Sequence, residues 1–236
     1  MKTESVEFGY LASPGDGPCP GIVMIHDVWG LAEHTRDMAR RLAAEGFAVL
    51  AIDLYRREAE VKIENPGAWM RGLSDPQVLT DVEAAAGWLA GHSACTGRVG
   101  VVGFCMGGMY ALLAACGGAG IAAGTAFYGV LSHRHGILYD EAGLDPERKP
   151  REPLAAAEDL SCPLLCLFGD ADEFVPLSDI DLLRASLAGA TPPSEVVVYP
   201  DCGHAFMNDT REDAYRPETA AVAWRRTVAF LRQHLG

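Results

Sequence analysis

The stretch Gly103-Phe104-Cys105-Met106-Gly107-Gly108 constrains the fold more than any other part of the chain. It follows an apolar, β-branched run, Arg98-Val99-Gly100-Val101-Val102, which reads as a buried strand. It precedes Met109 to Ala115, a run of good helix formers with no breaker. A strand that enters a helix through Gly-x-nucleophile-x-Gly makes a tight, strained turn. A side chain on either glycine would strike the neighbouring strand or helix. The middle residue is pushed out at the carboxyl edge of the sheet, at a helix start. Here it is Cys105. A helix N-terminus favours negative charge, so a thiolate is stabilised at that position.

The rest of the chain supplies a sheet for this turn to sit on. Compact apolar runs predict strands over 20–26, 47–52, 98–102, 121–128, 163–169 and 195–199, with an edge strand over 4–12. Apolar residues at helical spacing predict helices over 31–45, 77–91, 109–115, 178–188 and 218–235. A turn cluster occupies 13–18. Residues 58–76 form a polar surface excursion with one short helix, and residues 130–160 are the least regular stretch, a lid, a pocket wall or simply a long loop. Strands alternate with helices from residue 20 onward. That pattern gives an α/β fold, one mostly parallel, doubly wound sheet with helices on both faces. No repeat or low-complexity linker divides the chain, so residues 1–236 are expected to form one domain.

Composition excludes some partners. A net charge of −13 makes nucleic acid and anionic membranes poor ones. No apolar run approaches the length of a membrane span, and the N-terminus lacks the apolar core of a secretory signal. Seven dispersed cysteines without a repeated CxxC fit reduced thiols. A cytoplasmic protein, monomeric or a small homo-oligomer, acting on a small molecule is the expectation.

In open α/β sheets chemistry sits at the carboxyl ends of strands. The strand at 163–169 runs into Asp170-Ala171-Asp172-Glu173-Phe174-Val175-Pro176, and the strand at 195–199 into Pro200-Asp201-Cys202-Gly203-His204-Ala205-Phe206. Nucleophile, acid and histidine therefore follow one another at successive strand ends. A thiol must lose its proton to attack a carbonyl, and an imidazole can take it. A carboxylate on the other imidazole nitrogen fixes the tautomer. The oxygen that becomes negative needs donors, for which the backbone N–H groups of Met106 and Val28 are candidates. His133-Arg134-His135 with Asp140 reads as a solvated loop rather than a metal site, and Cys162 and Cys166 as core thiols.

Seven stretches carry a resemblance over nearly the whole chain. They are His26-Asp27-Val28-Trp29-Gly30, Asp53-Leu54-Tyr55, Asp81-Val82-Glu83-Ala84-Ala85, Gly100 to Gly108, Phe127-Tyr128-Gly129-Val130, Asp172-Glu173-Phe174-Val175-Pro176 and Gly203-His204-Ala205-Phe206. Together they resemble the dienelactone hydrolase (carboxymethylenebutenolidase) family of α/β-hydrolases. The cysteine in the elbow is the most specific match, since most of that superfamily uses serine. The resemblance implies the α/β-hydrolase fold and a triad of Cys105, His204 and Asp172. It implies hydrolysis of an enol-lactone or related ester through a thioester, with no metal or organic cofactor. It further implies that an acidic residue beside the sulfur holds the resting thiol. Asp27 occupies that position, one methylene shorter than the family's Glu, and Trp29 matches an aromatic of the same loop that lines the pocket. The family grips its substrate carboxylate with two arginines. One stands four residues after the histidine, where this chain has Asn208. The other has no clean match, and Arg56, Arg57, Lys62 and Arg71 are the cations nearby in sequence. An uncharged ester is therefore an alternative substrate, and a low-turnover binding or stress-response protein on the same fold is a third reading.

Overall fold

Apolar runs without alternation belong in strands covered on both faces, and the centre of the sheet is built from them. In a computed structural model, which describes residues 1–118 and 120–236, these runs form β3 (Cys19–Ile25), β4 (Ala48–Ile52), β5 (Cys95–Phe104), β6 (Gly124–Phe127) and β7 (Leu164–Gly169). β1 (Lys2–Val6), β2 (Gly9–Ser13) and β8 (Ser194–Tyr199) complete one sheet in the order β1-β2-β4-β3-β5-β6-β7-β8. β1 pairs antiparallel with β2, and β2 antiparallel with β4; every later pairing is parallel. The expected single edge strand over 4–12 is instead a hairpin. Glu7 and Phe8 make the turn, and Gly9 opens the second strand at φ +149°, where a Cβ would lie 2.3 Å from the Ala51 carbonyl oxygen.

Helices cover both faces, as the alternating pattern requires. α1 (Glu33–Ala44) and α7 (Pro217–Leu235) pack Met38, Leu42, Val228 and Leu231 over Ile22, Met24, Val49 and Val102. α3 (Asp75–Ala90), α4 (Met106–Cys116) and α6 (Leu177–Ser186) bring Val82, Leu89, Tyr110, Leu113 and Ile180 against Val23, Ile25, Leu50 and Val101 on the other face. α2 (Pro66–Gly72) is the short helix of the 58–76 excursion. It starts at Pro66, and Asn65 Oδ1 caps it by accepting the Ala68 N–H. Among the described residues no helix is long and apolar enough to cross a membrane.

Residues 130–160 contain two 3₁₀ turns and α5 (Pro153–Ala156). A buried network fastens their base. Lys149 Nζ lies 2.6 Å from Asp75 Oδ1, which also accepts the Tyr110 hydroxyl at 2.8 Å. This joins the excursion to α3 and α4. Residues 134–136 are exposed, as expected of a solvated loop, but the loop is not without partners. The His133 ring is half-buried, and His135 Nε2 sits 2.8 Å from Asp179 Oδ2 in the first turn of α6. The free tip of the stretch has a tertiary partner that no local pattern announces.

The elbow rests on main-chain contact. A Cβ on Gly103 would fall 1.9 Å from the Gly107 carbonyl oxygen, one on Gly107 2.2 Å from that of Ile25, and one on Gly108 2.3 Å from that of Phe127. Backbone cannot yield as a flexible side chain does. Gly107→Ala is expected to lower the unfolding free energy by about 3 kcal/mol, near the upper end for overpacking. Urea denaturation measures it, and a loss under about 1 kcal/mol would contradict the packing described.

Candidate active site

Cys105 stands between β5 and α4 with φ 56° and ψ −118°. A non-glycine residue rarely adopts such a conformation. It is fixed from both sides, since the Cys105 N–H donates to the Phe127 carbonyl at 3.0 Å and its own carbonyl accepts the Met109 N–H at 3.1 Å. The side chain is partly exposed, while every residue of the helix behind it is buried.

His204 and Asp172 come to the same edge from β8 and β7. His204 Nδ1–H donates to Asp172 Oδ2 at 2.8 Å, and Asp172 Oδ1 accepts the Phe174 N–H at 2.8 Å. The carboxylate is thus held by its own loop as well as by the ring. Two aromatic edges grip the imidazole, Tyr128 and Phe174, each with its centroid 5.0 Å away. Burial acts to lower the pKa of His204. Negative charge on Cys105 and the hydrogen bonds with Asp172 and Cys105 outweigh it and push the value up to about 10. The imidazolium is therefore the favoured state of His204 at neutral pH. The three residues that sequence order suggested are brought together.

The loop after β3 is anchored from below by a buried neutral histidine. The Leu54 N–H donates to His26 Nε2 at 3.1 Å, which leaves Nδ1–H to donate to the Asp27 carbonyl at 2.5 Å. Burial pushes the His26 pKa below its ordinary 6.5, against the pull of the Asp27 carbonyl and the Asp27 and Asp53 carboxylates. The Tyr55 hydroxyl donates to the Val28 carbonyl at 2.8 Å. Neither the Val28 N–H nor the Met106 N–H has an acceptor among the described residues. Asp27 Oδ1 accepts the Trp29 N–H at 2.9 Å, a side-chain turn that shapes the loop. Trp29 is 53% exposed and stands at the mouth.

Cys105, His204, Asp27, Val28 and Trp29 line one cavity of about 130 Å³. Pro66 and Met70 of α2, Val130, Ile137 and Phe174 give it an apolar wall, and Asp27, His34, Asn208 and Arg211 a polar one. The excursion over 130–160 thus contributes wall residues at Val130 and Ile137. The cations suggested from sequence lie elsewhere. Arg56 and Arg57 both grip the Asp81 carboxylate, at 2.9 and 2.6 Å, because that buried carboxylate needs compensation. Lys62 pairs with Glu64 on the surface, and Arg71 pairs with Asp140 and donates to the Ile137 carbonyl. Asn208 does line the cavity, but its Oδ1 is taken by the Thr210 N–H and hydroxyl. Arg211 was missed by sequence reasoning. It lies on an irregular segment past His204, where no periodicity orients it, and it is the cation among the described lining residues, with Asp213 at 3.0 Å.

Comparison with known proteins follows this geometry. The model of the dienelactone hydrolase family matches residues 8–235. A Bradyrhizobium protein named "Probable 2-oxo-3-(5-oxofuran-2-ylidene)propanoate lactonase" is 34% identical over 231 residues, covering 96% of this chain and 89% of that one. A Rhodococcus opacus carboxymethylenebutenolidase is 29% identical over 231 residues, covering 95% and 85%. Among solved structures, a "Putative Dienelactone Hydrolase" from Klebsiella pneumoniae superposes with a TM-score of 0.85 at 32% identity, covering 98% of both chains.

The anchored state of His26 has a pH signature. Its folded pKa lies below the unfolded one, so the neutral ring contributes stability that is fully present above pH 6.5 and is lost as pH falls through the folded value. His26→Asn should be less stable at neutral pH and lose stability less steeply below pH 6.5 than the parent. Denaturant unfolding at a series of pH values reads this, and parallel slopes would contradict the neutral, doubly bonded ring.

Proposed function

The chain belongs to the dienelactone hydrolase family, and from that premise we propose that it hydrolyses a small lactone or carboxylic ester with Cys105 as nucleophile. The observation that carries this reading is the hydrogen bond of His204 to Asp172 beside Cys105, at a strand edge where a cavity opens. Residues 1–236 act in this reading as a single catalytic domain in the cytoplasm.

Each group has a role set by its position. The Cys105 thiolate attacks the ester carbonyl, a C–S bond forms, and the carbonyl pair moves to oxygen. The N–H groups of Val28 and Met106, unpaired among the described residues, receive that oxyanion. On collapse the C–O bond to the leaving group breaks and its oxygen takes the proton from His204 Nε2. Water, deprotonated by the same nitrogen, then cleaves the thioester and restores the thiolate. Asp172 keeps Nδ1–H in place throughout. Asp27 puts negative charge near the sulfur while its carboxylate shapes the Trp29 turn, and Trp29 closes the mouth over the acyl chain.

Arg211 supports a lactone that carries a carboxylate. Its partner Asp213 is 72% exposed on its side chain, and so open a pair is readily exchanged for a substrate anion. The engaged Asn208 amide and the apolar wall favour a second reading, in which neutral esters are also turned over.

Cys105→Ala should reduce turnover of lactones by at least about a thousandfold, with full activity sinking the assignment. With His204 held as imidazolium, kcat/KM should hold through neutral pH and fall as His204 loses its proton near about 10. Asp172→Asn should bring that alkaline limb down. An alkaline limb at the ordinary imidazole value in the parent enzyme would rule out the ion pair. Arg211→Ala should raise KM for carboxylate-bearing lactones about tenfold or more and leave neutral esters unchanged. Equal effects on both would favour the neutral-ester reading.

A further inference from the structure

Tyr128 follows β6 and is held at φ 39° although it carries a large ring. The conformation is imposed from several directions. Its N–H donates to the Leu167 carbonyl at 2.8 Å, and a Cβ on the next residue, Gly129, would lie 2.4 Å from the Met109 nitrogen. The ring is 2% exposed and packs on Phe206 as well as on His204. A buried tyrosine normally gives its hydroxyl a partner. This one makes no hydrogen bond to any described residue, and the side chain lines the cavity beside Cys105. Burial and the negative charges of Cys105, Asp27 and Asp172 hold the phenol well above its ordinary range, so it remains a protonated donor.

Topology says which oxygen it can meet. Cys105 stands at the end of β5. The loop with the Val28 N–H follows β3 on one flank. Tyr128 follows β6 on the other flank, the side from which Asp172 and His204 come. An ester bound with its carbonyl oxygen toward Val28 and Met106 turns its leaving oxygen toward His204 and Tyr128. We propose that the Tyr128 hydroxyl is a hydrogen-bond donor to the leaving-group oxygen, stabilising the negative charge that grows there as the C–O bond breaks. Tyr128 keeps its own proton; the leaving oxygen retains the bond pair and is protonated by His204 Nε2. The strained backbone then serves to aim the hydroxyl. This inference rests on Cys105 being the nucleophile.

The test is Tyr128→Phe, which keeps the ring, assayed by single-turnover acylation on acetate esters of graded leaving-group basicity. Activated aryl esters, whose leaving oxygen needs little help, should react within about twofold of the parent rate, and alkyl esters should slow about tenfold. The dependence on leaving-group pKa steepens accordingly. A loss of one factor across the series, which a packing defect would give, or no loss at all, would overturn the proposal. Intact-mass detection of a Cys105 acyl adduct separates the two levels. An adduct with a flat leaving-group profile removes only the Tyr128 role, and no adduct in the parent protein removes both.

Discussion

At three positions of the elbow a methyl group would overlap main chain, and much of the architecture follows from that closeness. Gly107 meets the Ile25 carbonyl at the end of β3, and Gly108 meets the Phe127 carbonyl at the end of β6. The first turn of α4 is thereby wedged between the two strands that flank β5. The Met106 amide comes to rest beside the loop that carries Val28, and Tyr128 beside the sulfur. The non-glycine residues at positive φ are Cys105, Tyr128, Asp201 and Ala205, among the described residues, and all lie past strand ends on this edge. Such conformations cost about 1–3 kcal/mol each. The helix behind the elbow is wholly buried, and that apolar contact is what offsets the strain.

Electrostatics divides this edge into two kinds of histidine. His26 has two neutral partners, the Leu54 amide and the Asp27 carbonyl, so burial wins and the ring stays uncharged. His204 is also buried, but it faces the Asp172 carboxylate and the Cys105 sulfur, and there the charges win. One ring is a fixed strut for the loop after β3. The other is a proton carrier. The difference lies in partners rather than in burial.

The parallel core was legible because a strand covered on both faces leaves an unbroken apolar run, and the order Cys105, Asp172, His204 was legible because each stands where such a run stops. The β1–β2 hairpin was not, since its alternation is weak and Gly9, which opens its second strand, is fixed against β4. Nor could Arg56 and Arg57 be placed, because their destination is Asp81 on a later helix. The supports of the site were equally hidden. Tyr55 acts through the Val28 carbonyl and His26 through the Leu54 amide, contacts between segments with no local signature. Arg211 and Tyr128 illustrate the same limit, for neither lies in a periodic element that would say where its side chain points.

The cavity joins two regions of different origin. The reacting groups stand on strand ends locked into the sheet. The apolar wall comes from α2 and from the 130–160 stretch, which are joined to each other by Arg71 on Asp140 and the Ile137 carbonyl, and to the body by His135 on Asp179 and by the buried Lys149 and Asp75. The exposed ion pairs among these are weak, and the buried one at the base is not. The stretch is tied at its base by Lys149 and Asp75, and at its tip by Arg71, which donates to the Ile137 carbonyl beside the buried Leu138. Substitutions at that tip alter the shape offered to the acyl chain without reaching the contacts that aim Cys105, His204 and Tyr128. The same chemistry can thus be matched to a different ester by changing the wall alone.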